Sequence, residues 1–370
     1  MNTKKNPKII ISGGGTGGHI FPAISIANAI KEINNEAVIH FVGAEGRMEM
    51  QRVPDAGYSI EGLPIAGFDR KHLWKNVHVL FKLWKSQRKA KKIIKTFMPD
   101  VVVGVGGYAS GPTLNMAHKL GIPTLIQEQN SYAGVTNKIL GSGASKICVA
   151  YDKMERFFPK EKILLTGNPV RQSLLKSIEK KEAIAKFGLD FGKPILLVVG
   201  GSLGAGTINQ SILKDLEKIK KADIQLIWQT GKYYYDDLAE KIKTIEEKLP
   251  KMYMNAFIKD MPEAYAASDL VISRAGASSI SELCLLGKPS LLVPSPNVSE
   301  DHQTKNAMAL VDKDAAEWVP DKEAKVKLID HAIALIKDTD RLKTIGTECL
   351  KLAHHDSAKI IATEVLKLIK

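Results

Sequence analysis

His19 closes the stretch Gly13-Gly14-Gly15-Thr16-Gly17-Gly18-His19, a G-x-G-x-x-G loop between an apolar run and a helical one. An imidazole ordinarily titrates near 6.5 and can take a proton at neutral pH. A glycine loop that opens a helix offers bare amides and a positive dipole end to an anion. Read literally, this is a dinucleotide fingerprint with Glu45 as the ribose partner; a capping or packing role for His19 is the plainer alternative. Three more loops have the same character. Gly104, Gly106, Gly107 and Tyr108 lie in one, Gly200 to Ala205 form the second, and in the third Ala277, Ser278 and Ser279 open a helix with Glu282 one turn further on, placed to accept from a ribose diol. Gln127-Glu128-Gln129-Asn130 and the trio His302, Gln303 and Asn306 read as polar recognition loops. Gly200 to Gly204 also fits the G-x-S-x-G elbow of hydrolases, which would make Ser202 a nucleophile served by His302 and Asp260, Asp269 or Asp301. The D-x-D pairs Asp312/Asp314 and Asp338/Asp340 lie in helix-like, charged surroundings and read as solvated faces.

Short apolar runs must deliver these loops. Lys8–Ser12, Ala37–Val42, Val101–Val105, Thr124–Gln127, Lys146–Val149, Pro194–Val199, Gln225–Gln229, Leu270–Ser273 and Ser290–Val293 read as strands, with helical periods between them. Alternation of this kind implies βαβ units, parallel sheets and helices on both faces. The strand, glycine loop and helix at KIIISGGGTGGHI return at PILLVVGGSLGAGTIN, so two doubly wound α/β domains are expected, 1–167 and 168–354. Their boundary is placed in the turn Gly167-Asn168-Pro169-Val170-Arg171. A last amphipathic stretch, about 355–370, is placed back against the first domain from chain order alone.

With 370 residues, 44% of them hydrophobic, the chain is globular and long enough for two cores. No apolar run reaches 18 residues and the first residues are polar, so a chain kept inside the cell is expected. Cys148, Cys284 and Cys349 lack metal-ligand spacing and read as reduced packing residues; no metal or other cofactor is expected. A net charge of +13 implies anionic partners, and ten Lys or Arg fall between Asp69 and Lys95 against one acid. Trp74, Phe81 and Trp84, interleaved there with Lys82 and Lys85, fit either a core-facing amphipathic helix or a surface that meets anionic lipid. No nucleic-acid module accompanies the charge, so no nucleic-acid partner is expected.

Taken together, GGGTGGHIFPA at 13–23, GGYASGP at 106–112, QEQN at 127–130, GNPVR at 167–171, GGSLGA at 200–205, SRAGASSISE at 273–282 and DHQTKNA at 301–307 resemble the MurG family. These are the UDP-N-acetylglucosamine transferases of bacterial peptidoglycan synthesis, on which cell-wall biogenesis, cell shape and division depend. The resemblance implies a GT-B architecture, two Rossmann-like domains facing across a cleft. It implies an inverting transfer of GlcNAc from UDP-GlcNAc to the C4 hydroxyl of undecaprenyl-diphospho-MurNAc-pentapeptide. On the donor side it places Ile258 at the uracil through its main chain, Arg171 and Ser202 at the nucleotide and phosphates, Ala277, Ser278 and Ser279 at phosphate, Glu282 at the ribose and Gln303 at the sugar. Thr16, Gly17, Gly18 and Asn130 also border the donor. His19 and Asn130 fall at the reacting centre, with His19 as general base or positioning group, and Gly14, Gly15, Gly104, Gly106, Gly107 and Tyr108 cradle the acceptor diphosphate. Arg171 or Arg274, with the helix starts, would neutralise the leaving UDP. The chain differs from the family at Gln127, where His is usual, and at His302, where Gln is usual. A lipid-linked acceptor also implies peripheral binding to the anionic cytoplasmic membrane surface through Trp74, Phe81, Trp84, Lys82 and Lys85. The rivals are another GT-B UDP-sugar transferase, an NAD-dependent oxidoreductase and a serine hydrolase using Ser202.

Overall fold

The computed structural model describes residues 5–65, 76–170, 174 and 176–369, and the chain divides into two compact units, Met1–Val170 with His354–Lys370 and Arg171–Ala353. Trp74 and Arg171 lie outside the described residues.

Unit 1 runs β1 (Lys8–Ser12), α1 (Gly17–Ile33), β2 (Val38–Ala44), α2 (Glu49–Asp55), β3 (Ser59–Leu63), α3 (Asn76–Phe97), β4 (Val101–Gly104), α4 (Ser110–Lys119), β5 (Thr124–Glu128), α5 (Val135–Gly141), β6 (Lys146–Val149) and β7 (Ile163–Leu165). Its seven strands are all parallel, in the order β3-β2-β1-β4-β5-β6-β7. The strands read as continuous apolar runs because both faces of a parallel sheet are covered. Ile9 and Ile11 point into one layer with Ile20, Ile26 and Ile30 of α1, while Ile10 points into the other with Ile93 and Ile94 of α3 and Leu114 of α4. The helix α15 (Ser357–Lys367) belongs to this unit and buries Ile361 and Val365 in the α1 layer, each contributing about 2 kcal/mol.

Unit 2 runs α6 (Lys180–Lys186), β8 (Ile195–Val199), α7 (Gly206–Lys214), α8 (Leu216–Lys221), β9 (Gln225–Gln229), α9 (Tyr235–Lys243), β10 (Met252–Asn255), α10 (Met261–Ala267), β11 (Leu270–Ser273), α11 (Ala277–Leu286), β12 (Ser290–Leu292), α12 (His302–Val311), β13 (Glu317–Trp318), α13 (Asp321–Lys337) and α14 (Thr339–Lys351). Its six parallel strands are ordered β10-β9-β8-β11-β12-β13. Around them α13 and α14 close a core holding Leu328, Ile329, Leu335 and Ile345 with the fully buried Trp228.

In each sheet the strand order reverses once, between β1 and β4 and between β8 and β11. At such a reversal the neighbouring loops diverge to opposite faces and leave a crevice at the carboxyl ends of the strands. Register makes the loops leave together. Ser12 is paired with Gly104, and Val199 with Ser273, so the glycine loop of each first strand emerges level with the loop of its neighbour.

Candidate functional site

In unit 1 the two loops at the reversal touch backbone to backbone. A Cβ on Gly107 would lie 2.3 Å from the Gly14 carbonyl oxygen, and one on Gly13 would lie 2.2 Å from Val105 Cγ2. The Ser110 hydroxyl, within 2.6 Å of the Ser12 carbonyl oxygen and 2.9 Å of that of Gly106, ties both loops to the strand ends. Thr16 caps α1 in an extended conformation, and its Oγ1 lies 3.2 Å from His19 Nδ1. The far edge of the imidazole rests on Gly106, where a Cβ would come within 3.0 Å of Nε2. His19 is thus held at both sides, half-buried at the mouth of the crevice, and the first amides of α1 lie beside it.

These contacts revise the glycine assignments. Gly104 is buried in β4, and its missing side chain makes room for Leu114, whose Cδ2 would lie 2.6 Å from a Cβ there. Gly14 is buried too, leaving space for the Glu49 carboxylate, and the Gly15 amide donates to Glu49 Oε2 at 2.9 Å instead of standing bare. Gly106 and Gly107 are small because His19 and Gly14 lie against them. Of this set, Gly15 faces open space and Tyr108 is 47% exposed. The inward-turned Gly15 amide also removes a donor that the dinucleotide reading needs, and the Glu45 carboxylate is paired with Lys89 at 2.8 Å.

Gln127-Glu128-Gln129-Asn130 is a buried brace carrying one presented side chain, not a loop of four. Gln127, Glu128 and Gln129 are buried, while Asn130 is half-buried. Glu128 accepts four N–H bonds: from Asn130 N at 3.0 Å, Asn130 Nδ2 at 3.2 Å, Gly134 N at 2.9 Å and Asn137 Nδ2 at 2.8 Å. Gln127 donates to Asn168 Oδ1 at 2.9 Å, and Asn168 Nδ2 donates to the Gln129 carbonyl at 3.0 Å. Gln129 in turn donates to the Val105 carbonyl at 2.7 Å, which joins this brace to the β4 loop. Gln127, where the family usually has His, is therefore a structural donor here.

The helix α3 divides between the two readings of the basic segment. Its second half buries Ala90, Ile93 and Ile94, but in its first half Leu80, Phe81 and Trp84 are about half exposed. Phe81 and Trp84 stack with centroids 6.0 Å apart, under Lys85 at 4.5 Å and Arg88 at 4.3 Å, while Lys82 is half-buried. No described helix is long and apolar enough to cross a membrane.

In unit 2 a similar clasp recurs with other partners. A Cβ on Gly231 would lie 2.1 Å from Gly204 N, and one on Gly204 would lie 2.3 Å from the Thr230 carbonyl, locking the Gly200–Ala205 loop onto the end of β9. Asn209 steadies this clasp by donating to the Thr230 carbonyl at 2.8 Å and accepting from Trp228 Nε1 at 3.0 Å. Ser202 is exposed on the outer side of the loop, where its carbonyl accepts from Lys232 N at 3.3 Å. The acids that a hydrolase would need are committed elsewhere: Asp260 to Lys186, Asp269 to Lys180 and the Ile195 amide, and Asp301 to the Thr304 hydroxyl.

Across the reversal, Gly276 caps α11 and the first turn carries Ala277, Ser278 and Ser279. Ser278 Oγ is buried without a hydrogen-bond partner among the described residues, an uncommon state that a ligand oxygen would relieve. Glu282 is buried and accepts from the Tyr265 hydroxyl at 3.1 Å, so Tyr265, which sequence reading missed, sets its rotamer. The Ile258 amide already donates to Gln229 Oε1 at 3.0 Å, which leaves its carbonyl as the main-chain group to meet a base. Arg274 Nη1 donates to Asp321 at 2.5 Å and to the carbonyls of Val293 and Pro294 at 3.0 and 3.2 Å, clamping the β12 exit to α13. Glu300 and Asp301, consecutive residues at φ 57° and 53°, bend the chain into α12 in a region that side chains seldom occupy. There Gln303 Oε1 accepts from Ser295 N at 2.8 Å, which directs the amide nitrogen away from that loop, and His302 is half-buried beside it.

Residues 9–149 match the glycosyltransferase family 28 N-terminal domain, and residues 195–360 match the glycosyltransferase family 28 C-terminal domain. The chain is 65% identical over 367 residues to the UDP-N-acetylglucosamine–N-acetylmuramyl-(pentapeptide) pyrophosphoryl-undecaprenol N-acetylglucosamine transferase of Bacteroides thetaiotaomicron, covering 99% of this chain and 98% of the relative. It is 64% identical to the protein of the same name from Phocaeicola vulgatus, over 99% of this chain and 97% of the relative. Among solved structures, Acinetobacter baumannii MurG superposes with a TM-score of 0.77 at 26% identity, covering 98% of this chain and 99% of that one.

Proposed function

The chain belongs to glycosyltransferase family 28, and on that premise we propose how its two GT-B units divide the work of an N-acetylglucosaminyltransferase of peptidoglycan synthesis. It moves GlcNAc from UDP-GlcNAc to the lipid-linked MurNAc-pentapeptide, converting lipid I to lipid II. The observation that carries this is the end-to-end identity with the Bacteroides transferase, which spans both units at once.

Unit 2 takes the donor. The carbonyl of Ile258 meets uracil, Glu282 accepts from the ribose diol, and the amides of α7 and α11 with the Ser202 and Ser278 hydroxyls surround the diphosphate. Preorganised donors of this kind meet the charge that grows on UDP as the glycosidic bond breaks. Gln303 donates to a GlcNAc hydroxyl. Unit 1 takes the acceptor, whose diphosphate meets the outward amides of α1 around Thr16, Gly17 and Gly18, residues that also border the donor, with Gly15 and Tyr108 at the rim. His19 stands where the C4 hydroxyl of MurNAc must lose its proton as it attacks the anomeric carbon, and Asn130, held by Glu128, orients the sugar. The amide and hydroxyl set makes a reaction without metal or other cofactor the expectation.

Phe81 and Trp84 entering the headgroup layer while Lys82, Lys85 and Arg88 meet anionic lipid would hold the enzyme peripherally on the cytoplasmic face, where its acceptor is anchored. No nucleic-acid partner enters this reading. The test is turnover of radiolabelled UDP-GlcNAc with a lipid I analogue, with and without EDTA, with UDP-glucose and NAD as competitors. Lipid II formation that survives EDTA and is unaffected by NAD is expected; absence of transfer refutes the assignment.

A further inference from the structure

We infer that Glu49 is a positioning residue that aims the acceptor loop and His19. This rests on the reading of unit 1 as the acceptor unit. Glu49 opens α2 and is 1% exposed, yet it lies in none of the recognisable motifs. Its two carboxylate oxygens accept from different elements, Oε2 from the Gly15 amide at 2.9 Å and Oε1 from the Ala44 amide at 3.0 Å. Two glycines keep its place open: a Cβ on Gly14 would lie 2.2 Å from Oε1, and a Cβ on Gly43 would lie 2.7 Å from Cγ.

The consequence lies in one peptide group. In a trans peptide the N–H and C=O point in opposite directions from one rigid plane. The plane between Gly14 and Gly15 has its N–H on Glu49, and its C=O packs against Gly107. It is held at both ends, with Gly14 at φ 145° and Gly15 at φ 88°. Next along the chain comes Thr16, which caps α1 and whose Oγ1 contacts His19 Nδ1. Fixing that plane therefore fixes where the first amides of α1 and the imidazole point. A carboxylate suits the task because both its oxygens only accept. A glutamine would turn an NH2 toward one of the two amides, so one buried donor would lose its partner and the plane its anchor.

Glu49→Gln tests this directly, and Gly43→Ala tests it independently, because the added methyl pushes Glu49 from behind without touching the loop or any substrate. Steady-state rates are measured with the lipid I analogue and UDP-GlcNAc varied separately, alongside UDP binding by calorimetry. Both variants should lose about 100-fold in kcat/KM for the acceptor, the cost of an ångström-scale misplacement, while the donor KM and UDP affinity stay within about twofold. A folded Glu49→Gln with acceptor kinetics within about threefold of wild type overturns the inference. So does an equal loss toward both substrates, which marks general destabilisation. If the wild-type protein itself fails to transfer, the reading of the reaction falls instead.

Discussion

Gly107 and Gly15 share nearly the same left-handed backbone, φ 84° and 88°, but differ in what a side chain would meet. At Gly15 a Cβ enters open space; at Gly107 it lies 2.3 Å from the Gly14 carbonyl oxygen, over 1 Å inside ordinary contact at 3.4 Å. Alanine at either position carries the same conformational cost of about 1 kcal/mol. Gly107→Ala adds overpacking of roughly 1–3 kcal/mol, because backbone on both sides must move to relieve it. The urea midpoint of Gly107→Ala should therefore fall below that of Gly15→Ala by the equivalent of about 2 kcal/mol. Kinetics should separate the two as well. Gly107→Ala displaces the loops by about 1 Å and should lower kcat/KM about 100-fold, whereas Gly15→Ala intrudes on the acceptor and should chiefly raise its KM. Equal midpoints for the two variants would refute the claim that these loops are clasped backbone to backbone.

Three further outcomes are expected. Burial, and after it the nearby Lys180, press Lys288 down from 10.5 to about 8. Between those values the unfolded chain holds a proton that the folded chain has released, so stability should rise as pH climbs from about 8 to 10.5; in Lys288→Met, chemical denaturation across that window should lack the rise. Replacing Phe81 and Trp84 together with serine should lower the melting temperature by no more than a few degrees, since both are about half exposed, yet weaken sedimentation with anionic vesicles about tenfold or more. Unchanged vesicle binding removes the membrane proposal. Asn168→Ala should cost about 2 kcal/mol in denaturant titrations by stranding the buried Gln127 amide and Gln129 carbonyl; a loss under about 0.5 kcal/mol would mean water replaces it.

The sequence alone determined the alternation of strands and helices and where the central strands lie, because a strand covered on both faces must be apolar throughout. It did not show β3, β10 or β13, which are edge strands: β10 and β13 are short and only half-buried, and β3 mixes polar with apolar residues, so none forms a long apolar run. Glycine spacing likewise marked the loops that leave the strand ends at each reversal, but it could not tell which glycines stand open and which make room for protein. That depended on Leu114, Glu49 and His19, and on contacts between loops more than 90 residues apart such as Gly14 and Gly107. The same holds for polar side chains: Gln127, Glu128 and Gln129 have the composition of binding residues, yet each bonds to partners that only the folded sheet brings near. Residue type sets which bonds a group can make; the tertiary structure decides whether protein or substrate makes them.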